Sequence, residues 1–253
     1  MVKYFGMYID TDGIVLRQTK TVNGRRMILL FTKQYGKISA GTSLSERGKN
    51  KTALALRPFT LGRYELFKGR ESYSINGAET LNGFYSIGED VDRFMAASYI
   101  LELISEMLPE EQPAPELFDM LIDYFELLQA RKTAFGTLIA GFQTKALRLA
   151  GSEPETERCT VCGSEKDLRA FSVRHGGTVC GKCADEIDLH GDAFFRLAGE
   201  DLDVLRFLKK GSLRTLEQLA LKPDTEKFLR RLLKAWYVWQ LGIEDLKSEW
   251  LNL

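Results

Sequence analysis

The chain has 253 residues, 44% of them hydrophobic and 28% charged, with a formal net charge of zero at neutral pH. That composition is ordinary for a folded globular protein and excludes the low-complexity, collagen-like and disordered classes. No apolar run approaches the roughly eighteen residues of a membrane span, and the N-terminus has no signal-peptide core.

The zero net charge hides a segregation. Residues 1–80 hold fourteen Lys/Arg against six Asp/Glu, residues 81–158 hold six against fourteen, and residues 159–253 hold fifteen of each. A basic head before an acidic middle points to a polyanionic partner for the head.

The head, residues 1–80, reads as all-β. Gly13–Leu16 opens a strand, and Arg25–Thr32 is a second, apolar enough for burial on both faces. Val22-Asn23-Gly24 between them carries the Asn-Gly hairpin signal. Gln34-Tyr35-Gly36 turns the chain into a third strand, Lys37–Gly41. Ser43–Lys51 is polar, with Arg47, Lys49 and Lys51 at alternate positions, and reads as a long loop. A fourth strand is expected from Pro58 to Phe67. Its inward positions, Phe59 and Leu61 and then Tyr64 and Leu66, change parity at Gly62-Arg63, which predicts a bulge or bend there. Ser72–Ile75 is the fifth. Five short strands in a basic module predict an OB-like barrel.

From residue 81 the texture is helical. Ser86-x-x-Glu89 forms a candidate capping box for a helix with Phe94, Ala97, Leu101, Ile104 and Leu108 on one face. Pro113 and Pro115 break it and start another, striped by Leu117, Leu121, Ile122, Phe125 and Leu128. Thr133 is the expected cap of a third helix that stops at Gly151. The fold class is therefore α+β, with the helical body at 81–253 and a cysteine-bearing insert at about 156–190.

That insert uses all four cysteines: Cys159-Thr160-Val161-Cys162, seventeen residues, then Cys180-Gly181-Lys182-Cys183. Two C-x-x-C pairs at this spacing offer four thiolates on two tight turns, which suits one tetrahedral Zn²⁺ better than two disulfides or free thiols. Gly163 and Gly181 fit such turns because glycine tolerates positive φ. Arg169–Val173 and Thr178-Val179, joined by His175-Gly176-Gly177, read as the hairpin of a zinc ribbon. Four thiolates leave no open position for water or substrate, so the ion is expected to be structural. The four paired cysteines, with none spare, fit a reducing cytosol. His190 has no partner at ligand spacing.

Beyond the insert, Leu202, Leu205 and Leu208 lead to a stop at Gly211, and Ser212 is the expected cap of a short piece. Pro223-Asp224 opens a long helix that ends at Gly242. Its apolar side is Phe228, Leu229, Leu232, Leu233 and Trp236, while Lys227, Arg230, Arg231 and Lys234 form a cationic stripe.

No catalytic constellation is present: no phosphate loop, no nucleophile elbow and no H-E-x-x-H. Asp10-x-Asp12 reads as a turn. What remains is binding. Arg17, Lys20, Arg25, Arg26, Lys33, Lys37, Arg47, Lys49, Lys51 and Arg57 cluster in the head, with Phe31, Tyr35, Phe59 and Tyr64 among them. Cations that neutralise phosphates and aromatics that stack bases are the means by which OB-folds hold single strands. Phe31 and Phe59, with apolar neighbours, are expected in the core instead. A zinc-ribbon scaffold whose basic head binds RNA or an acidic protein is the alternative, and salt-dependent binding of single-stranded DNA separates the two.

Gly13-Ile14-Val15-Leu16, Leu30-Phe31-Thr32, Tyr35-Gly36-Lys37-Ile38 and Leu56-Arg57-Pro58-Phe59 together resemble the RecO family of recombination mediators. So do Phe142, Leu147-Arg148-Leu149-Ala150-Gly151, Pro154 and Cys159-Thr160-Val161-Cys162-Gly163, in the family's order. The resemblance implies an N-terminal OB-fold, a helical domain and a zinc segment, without enzymatic activity. It implies binding of single- and double-stranded DNA, annealing of strands coated with single-strand-binding protein, and loading of RecA together with RecR. A cytoplasmic, nucleoid-associated location follows. It also suggests that the stripe Lys227, Arg230, Arg231 and Lys234 holds the acidic C-terminal tail of single-strand-binding protein, with Trp236 or Trp239 as the groove wall.

Overall fold

The computed structural model describes residues 6–20, 26–44, 51–70, 72–186, 194–244 and 246–248. The chain forms two compact units, Met1–Ala130 with Lys247–Leu253, and Arg131–Leu246.

The first unit contains a closed barrel in the order β1-β2-β3-β5-β4. Its strands are β1 (Met7–Lys20), β2 (Arg26–Thr32), β3 (Gly36–Thr42), β4 (Thr60–Lys68) and β5 (Tyr73–Gly83), with a short helix α1 (Lys51–Ala55) before β4. β1 is long enough to serve two neighbours: Met7–Ile14 pairs with β4, and Gly13–Lys20 pairs with β2. A parallel contact of Ala40 and Gly41 with Tyr73 and Ser74 closes the cylinder. Ile9, Val15, Ile28, Leu30, Ile38, Ala40, Tyr64, Leu66 and Ile75 fill it. Phe31, on the other side of β2 from Ile28 and Leu30, is covered by Phe118 with ring centroids 5.3 Å apart. That contact gives β2 its burial on both faces. Asp10 and Asp12 lie within β1, so the D-x-D pair is strand and not a turn.

The expected parity change in β4 does not occur. Its inward residues are Thr60, Gly62, Tyr64 and Leu66, in unbroken alternation, and Leu61 is half-buried. The reason is the Tyr64 ring, which lies against Gly13 and Gly62; a Cβ at either would sit 3.3 Å or 3.1 Å from it. Glycine at these paired positions makes room for the ring. The irregularities are in β5: Leu61 pairs with Asn82 and Gly62 with Thr80, leaving Leu81 extra, and Glu65 pairs with Gly77 and Leu66 with Ile75, leaving Asn76 extra. Phe59 precedes the strand with φ of +59°, and its ring packs against Phe94 and Phe125.

Two helices complete this unit, α2 (Val91–Met107) and α3 (Pro115–Ala130). Ser86 and Glu89 belong to a 3-10 turn, and the cap of α2 is Asp90, whose carboxylate accepts the Arg93 N–H at 2.9 Å. Tyr124 donates to the Ala96 carbonyl at 3.1 Å and joins the pair. The change from strand to helix follows β5 at Gly83, whereas the compact units divide at Ala130.

The second unit is built on α4 (Phe135–Leu149), buried at every position from Phe135 to Leu147. Thr133 does not cap it: the chain enters through Ala134 at φ of +58°, with no side-chain cap. Arg131 donates instead to the carbonyls of Ala134 and Leu219, each at 2.8 Å, and of Leu216. Lys145 donates to those of Leu208, Lys210 and Gly211 at 2.7–3.1 Å. These buried cations satisfy carbonyls left over at helix ends. Around α4 stand α6 (Asp201–Lys209) and α7 (Pro223–Leu241). Ser212 makes no side-chain cap, while Gly242, at φ of +67°, ends α7 as expected. A three-stranded sheet in the order β7-β6-β8 is formed by β6 (Leu168–Ser172), β7 (Gly177–Cys180) and β8 (Phe194–Arg196), with α5 (Gly181–Glu186) after β7. It packs on α7 through Phe171 and Trp236, with ring centroids 5.3 Å apart.

Candidate nucleic-acid interface and metal centre

The sulfurs of Cys159, Cys162, Cys180 and Cys183 all lie within 4.8 Å of one another. Cys162 Sγ and Cys180 Sγ are 3.7 Å apart. Metal–sulfur bonds of about 2.3 Å in a tetrahedron set a sulfur–sulfur edge of about 3.8 Å, so this pair already has the required spacing. The first knuckle turns through Gly163, at φ of +78°, whose N–H donates to the Cys159 carbonyl at 2.9 Å. Thr160 N–H donates to the Thr178 carbonyl at 2.9 Å and ties that knuckle to β7. Gly181 serves differently from expectation. Its φ is not positive; a Cβ there would meet the Asp167 carboxylate at 2.6 Å.

Burial opposes ionisation of Cys159, but N–H groups of Cys180, Cys162 and Val161 directed at its sulfur outweigh it and bring the thiol down to about 6. Hydrogen bonding to Cys162 pushes Cys183 the other way. Thiols sharing one site resist joint deprotonation until a cation balances them. The four cysteines can therefore hold one metal ion. His190 lies outside the described residues.

The basic surface begins on the second half of β1. Residues 13–42 contain six Lys/Arg and no Asp or Glu. Cross-strand pairing sets Arg17 beside Leu29 and Ser39, Thr19 beside Met27 and Gly41, and Lys20 beside Arg26 and Thr42. Arg17 and Lys20 are exposed, and neither has an acidic partner among the described residues; Arg26, Met27 and Leu29 are half-buried. Arg57 is exposed after α1. Arg25, Arg47 and Lys49 lie outside the described residues.

Three other candidate cations are engaged inside the unit. Lys33 Nζ lies 2.7 Å and 3.0 Å from the two carboxylate oxygens of Asp119, and Lys37 Nζ donates to the Ser105 carbonyl at 2.6 Å. Lys51 Nζ lies 2.7 Å from Glu79, a hydrogen bond and charge pair that raises the lysine and lowers the carboxyl. The acidic middle thus answers part of the basic head within the same unit, a relation that charge counts along the chain do not reveal.

Among the aromatics, Phe31 and Tyr64 are fully buried, and Tyr64 donates to the Ala55 carbonyl at 2.5 Å. Tyr35 is half-buried against the barrel core. The acid-free face offers Met27 and Leu29 as its apolar floor instead. Their signal in the sequence is the alternation along β2, which sets them on the Phe31 side.

On α7, Lys227, Arg231 and Lys234 are exposed and Arg230 is half-buried; Leu229, Leu232, Leu233 and Trp236 are buried. Arg231 lies over the Phe195 ring at 5.9 Å. Trp236 donates from Nε1 to the Ser152 carbonyl at 2.9 Å and is closed off, whereas Trp239 is 52% exposed with Arg174 stacked 5.2 Å from its ring centre.

Among the described residues no helix is long and apolar enough to cross a membrane. Residues 7–84 match the family model of the recombination protein O N terminal, and residues 88–249 match that of the recombination protein O C terminal. The chain is 30% identical to a DNA repair protein RecO of Alkaliphilus metalliredigens over 96% of its own length and 97% of the relative's. It is 27% identical to the RecO of a Thermoanaerobacter species over the same shares, and 33% identical to that of Myxococcus xanthus over 69% and 72%. A barrel followed by helices and a four-cysteine ribbon, matched at both ends by these models, makes this chain a member of the RecO family.

Proposed function

We propose that this protein acts in recombinational DNA repair as a non-enzymatic mediator that binds DNA through its barrel. The observation that carries this reading is the acid-free face of β1, β2 and β3. Arg17 and Thr19 stand beside Leu29 and Met27 on one side of these strands, with the exposed Lys20 paired to Arg26 at their end, and OB-folds bind oligonucleotides across the corresponding strands. Phosphates gain from Arg17 and Lys20, which have no acidic partner among the described residues, and bases gain from the apolar floor of Met27 and Leu29. Arg25, Arg47, Lys49 and Arg57 are the further candidate contacts to single- and double-stranded DNA, by the charge they add to the same head. Lys33, Lys37 and Lys51 join it only by giving up their present partners.

The ion in the four-cysteine site is Zn²⁺, held by Cys159, Cys162, Cys180 and Cys183 as a structural element of the second unit. Four thiolates suit a borderline-soft ion with no open position. Bound strands are annealed when the protein holds them beside their complements. With RecR it helps load RecA onto DNA coated with single-strand-binding protein. The tail of that coat protein docks on Lys227, Arg230, Arg231 and Lys234, with the exposed Trp239 as its wall. Such work belongs in the cytoplasm, at the nucleoid.

The experiment is annealing of complementary oligonucleotides coated with single-strand-binding protein. Acceleration by the wild type, and its loss in Arg17→Ala/Lys20→Ala, are expected. An RNA- or protein-binding scaffold would leave the rate unchanged.

A further inference from the structure

β1 changes character half-way along its length. Arg17 and Lys20 lie in the half that pairs with β2, and Asp10 and Asp12 in the half that pairs with β4. On this second face Asp10 is opposite Glu65, Asp12 is opposite Arg63, and Arg63 is opposite Glu79 of β5. The cations here are taken: Arg63 Nε is 3.0 Å from Asp12, and Lys51 Nζ is 2.7 Å from Glu79. Asp10 and Glu65 are left as an exposed cross-strand pair of like charge, with no cation bonded to either among the described residues. Glu65 lies over Gly77, on the β5 side and so away from Asp10. Like charges directly opposite each other disfavour an antiparallel pair, and this one is relieved only in part, by the turn of Glu65 toward Gly77 and by the charge of Arg63 near Asp10.

One residue pair further along the same face, Tyr8 stands opposite Phe67 with ring centroids 5.1 Å apart. Tyr8 is 74% exposed. Tyrosine is enriched in protein interfaces. An exposed aromatic at the end of an acidic row is a poor surface for nucleic acid or an anionic membrane, both of which it repels.

We propose that the β1–β4 face, built from Tyr8, Asp10, Glu65 and Phe67, docks a partner protein through a basic segment bearing an apolar anchor. Charge complementarity selects the occupant: Asp10, Asp12, Glu65 and Glu79 outnumber Arg63 and Lys51, and the surplus is the Asp10–Glu65 pair. Lysine or arginine of the partner settles between those two carboxylates, and its apolar residue covers Tyr8 and Phe67. β4 is not adjacent to β2 or β3 in the barrel, so DNA and this partner are held at the same time.

The test uses the full chain and a synthetic peptide of alternating lysine and leucine, followed by amide NMR. Perturbed amides confined to Met7–Asp12 and Arg63–Lys68 are expected. Asp10→Asn/Glu65→Gln weakens the peptide about tenfold while an oligothymidylate still binds as it does to wild type. The same double variant melts no lower than wild type, because it removes a repulsion, and Tyr8→Ser weakens the peptide without altering the melting temperature. Equal peptide affinity for wild type and the double variant would overturn the proposal. So would shifts on β2, displacement of the peptide by the oligothymidylate, or self-association of the wild type that the double variant abolishes, since the occupant would then be a second copy.

Discussion

Lys33, in the turn after β2, lies 2.7 Å from Asp119 on α3, eighty-six residues later. The pair belongs to a group of three, with Lys37 on the Ser105 carbonyl and Lys68 at 2.6 Å from Glu111. Each joins the barrel to the helical segment that follows it. The charge excess of the head is therefore partly met within the unit, and the exposed Arg17 and Lys20 are the cations proposed to contact DNA.

A first prediction separates the two sets. Log affinity for single-stranded DNA falls with log salt by about 0.7 for each phosphate contact, so Arg17→Ala/Lys20→Ala flattens the slope by about 1.4. Lys33→Ala/Lys37→Ala changes the slope less and the melting temperature more. Fluorescence-anisotropy titrations from low to physiological salt read both. Equal slope changes for the two variants would contradict the assignment.

The metal is tested through folding. Structural zinc contributes folding free energy directly, so Cys162→Ser or a strong chelator destabilises the second unit. Elemental analysis is expected to give one zinc per chain, with cooperative loss of signal from α4–α7 after chelation. A fully folded protein without stoichiometric metal would refute the structural role.

Tyr64 is fully buried, and burial pushes its phenol well above its usual range. Its hydroxyl serves the Ala55 carbonyl, and Tyr64→Phe leaves that carbonyl unpaired at a cost of about 1–3 kcal/mol. Gly62→Ala is also destabilising, since its new Cβ presses on the same ring at 3.1 Å. Urea unfolding measures both; a neutral Gly62→Ala would show that the ring can move aside.

Glu102 provides a pH-dependent clamp. Burial alone would raise its carboxyl, but the Ser248 hydroxyl and the N–H groups of Ser248 and Lys247, at 2.7 Å and 2.8 Å, hold it below its ordinary value. A folded-state value below the unfolded one stabilises fully above the unfolded value, about 4.3 for glutamate, and the gain is lost as pH falls through the folded value. Amide exchange at Lys247 and Ser248 should therefore accelerate disproportionately in that acid window. Glu102→Gln should show the acceleration already at neutral pH. Unchanged protection in Glu102→Gln would mean that other contacts hold the segment.

The stripe on α7 predicts that Arg230→Ala/Arg231→Ala weakens binding of a single-strand-binding-protein tail peptide more than Lys227→Ala/Lys234→Ala does, because guanidinium forks grip carboxylates bidentately. Calorimetry with the folded variants decides it. Equal affinities would locate the tail elsewhere.

Much of this was legible in the sequence because it is local. The cysteine spacing, the glycine that stops α7 and the apolar run of β2 each act over a few residues. What escaped depends on distant partners. Gly62 reads as a bend until the Tyr64 ring is seen lying on it and on Gly13. Asp90, not Ser86, caps α2 because an intervening 3-10 turn takes up the earlier residues. Asp10-x-Asp12 looks like a turn because β1 is acidic and basic in succession, which makes sense only once its halves face different neighbours. Lys33 and Lys37 read as phosphate ligands, and only the packing of α2 and α3 reveals that Asp119 and the Ser105 carbonyl also engage them.

Annealing itself shows whether the acid-free face of the barrel holds DNA. Complementary strands coated with single-strand-binding protein are annealed at physiological salt by wild type, by Arg17→Ala/Lys20→Ala and by Asp10→Asn/Glu65→Gln. Fast annealing is expected of wild type and of the acidic-face variant, and a rate near the uncatalysed one of Arg17→Ala/Lys20→Ala with its fold intact. Wild-type annealing by the folded Arg17→Ala/Lys20→Ala protein would contradict that expectation.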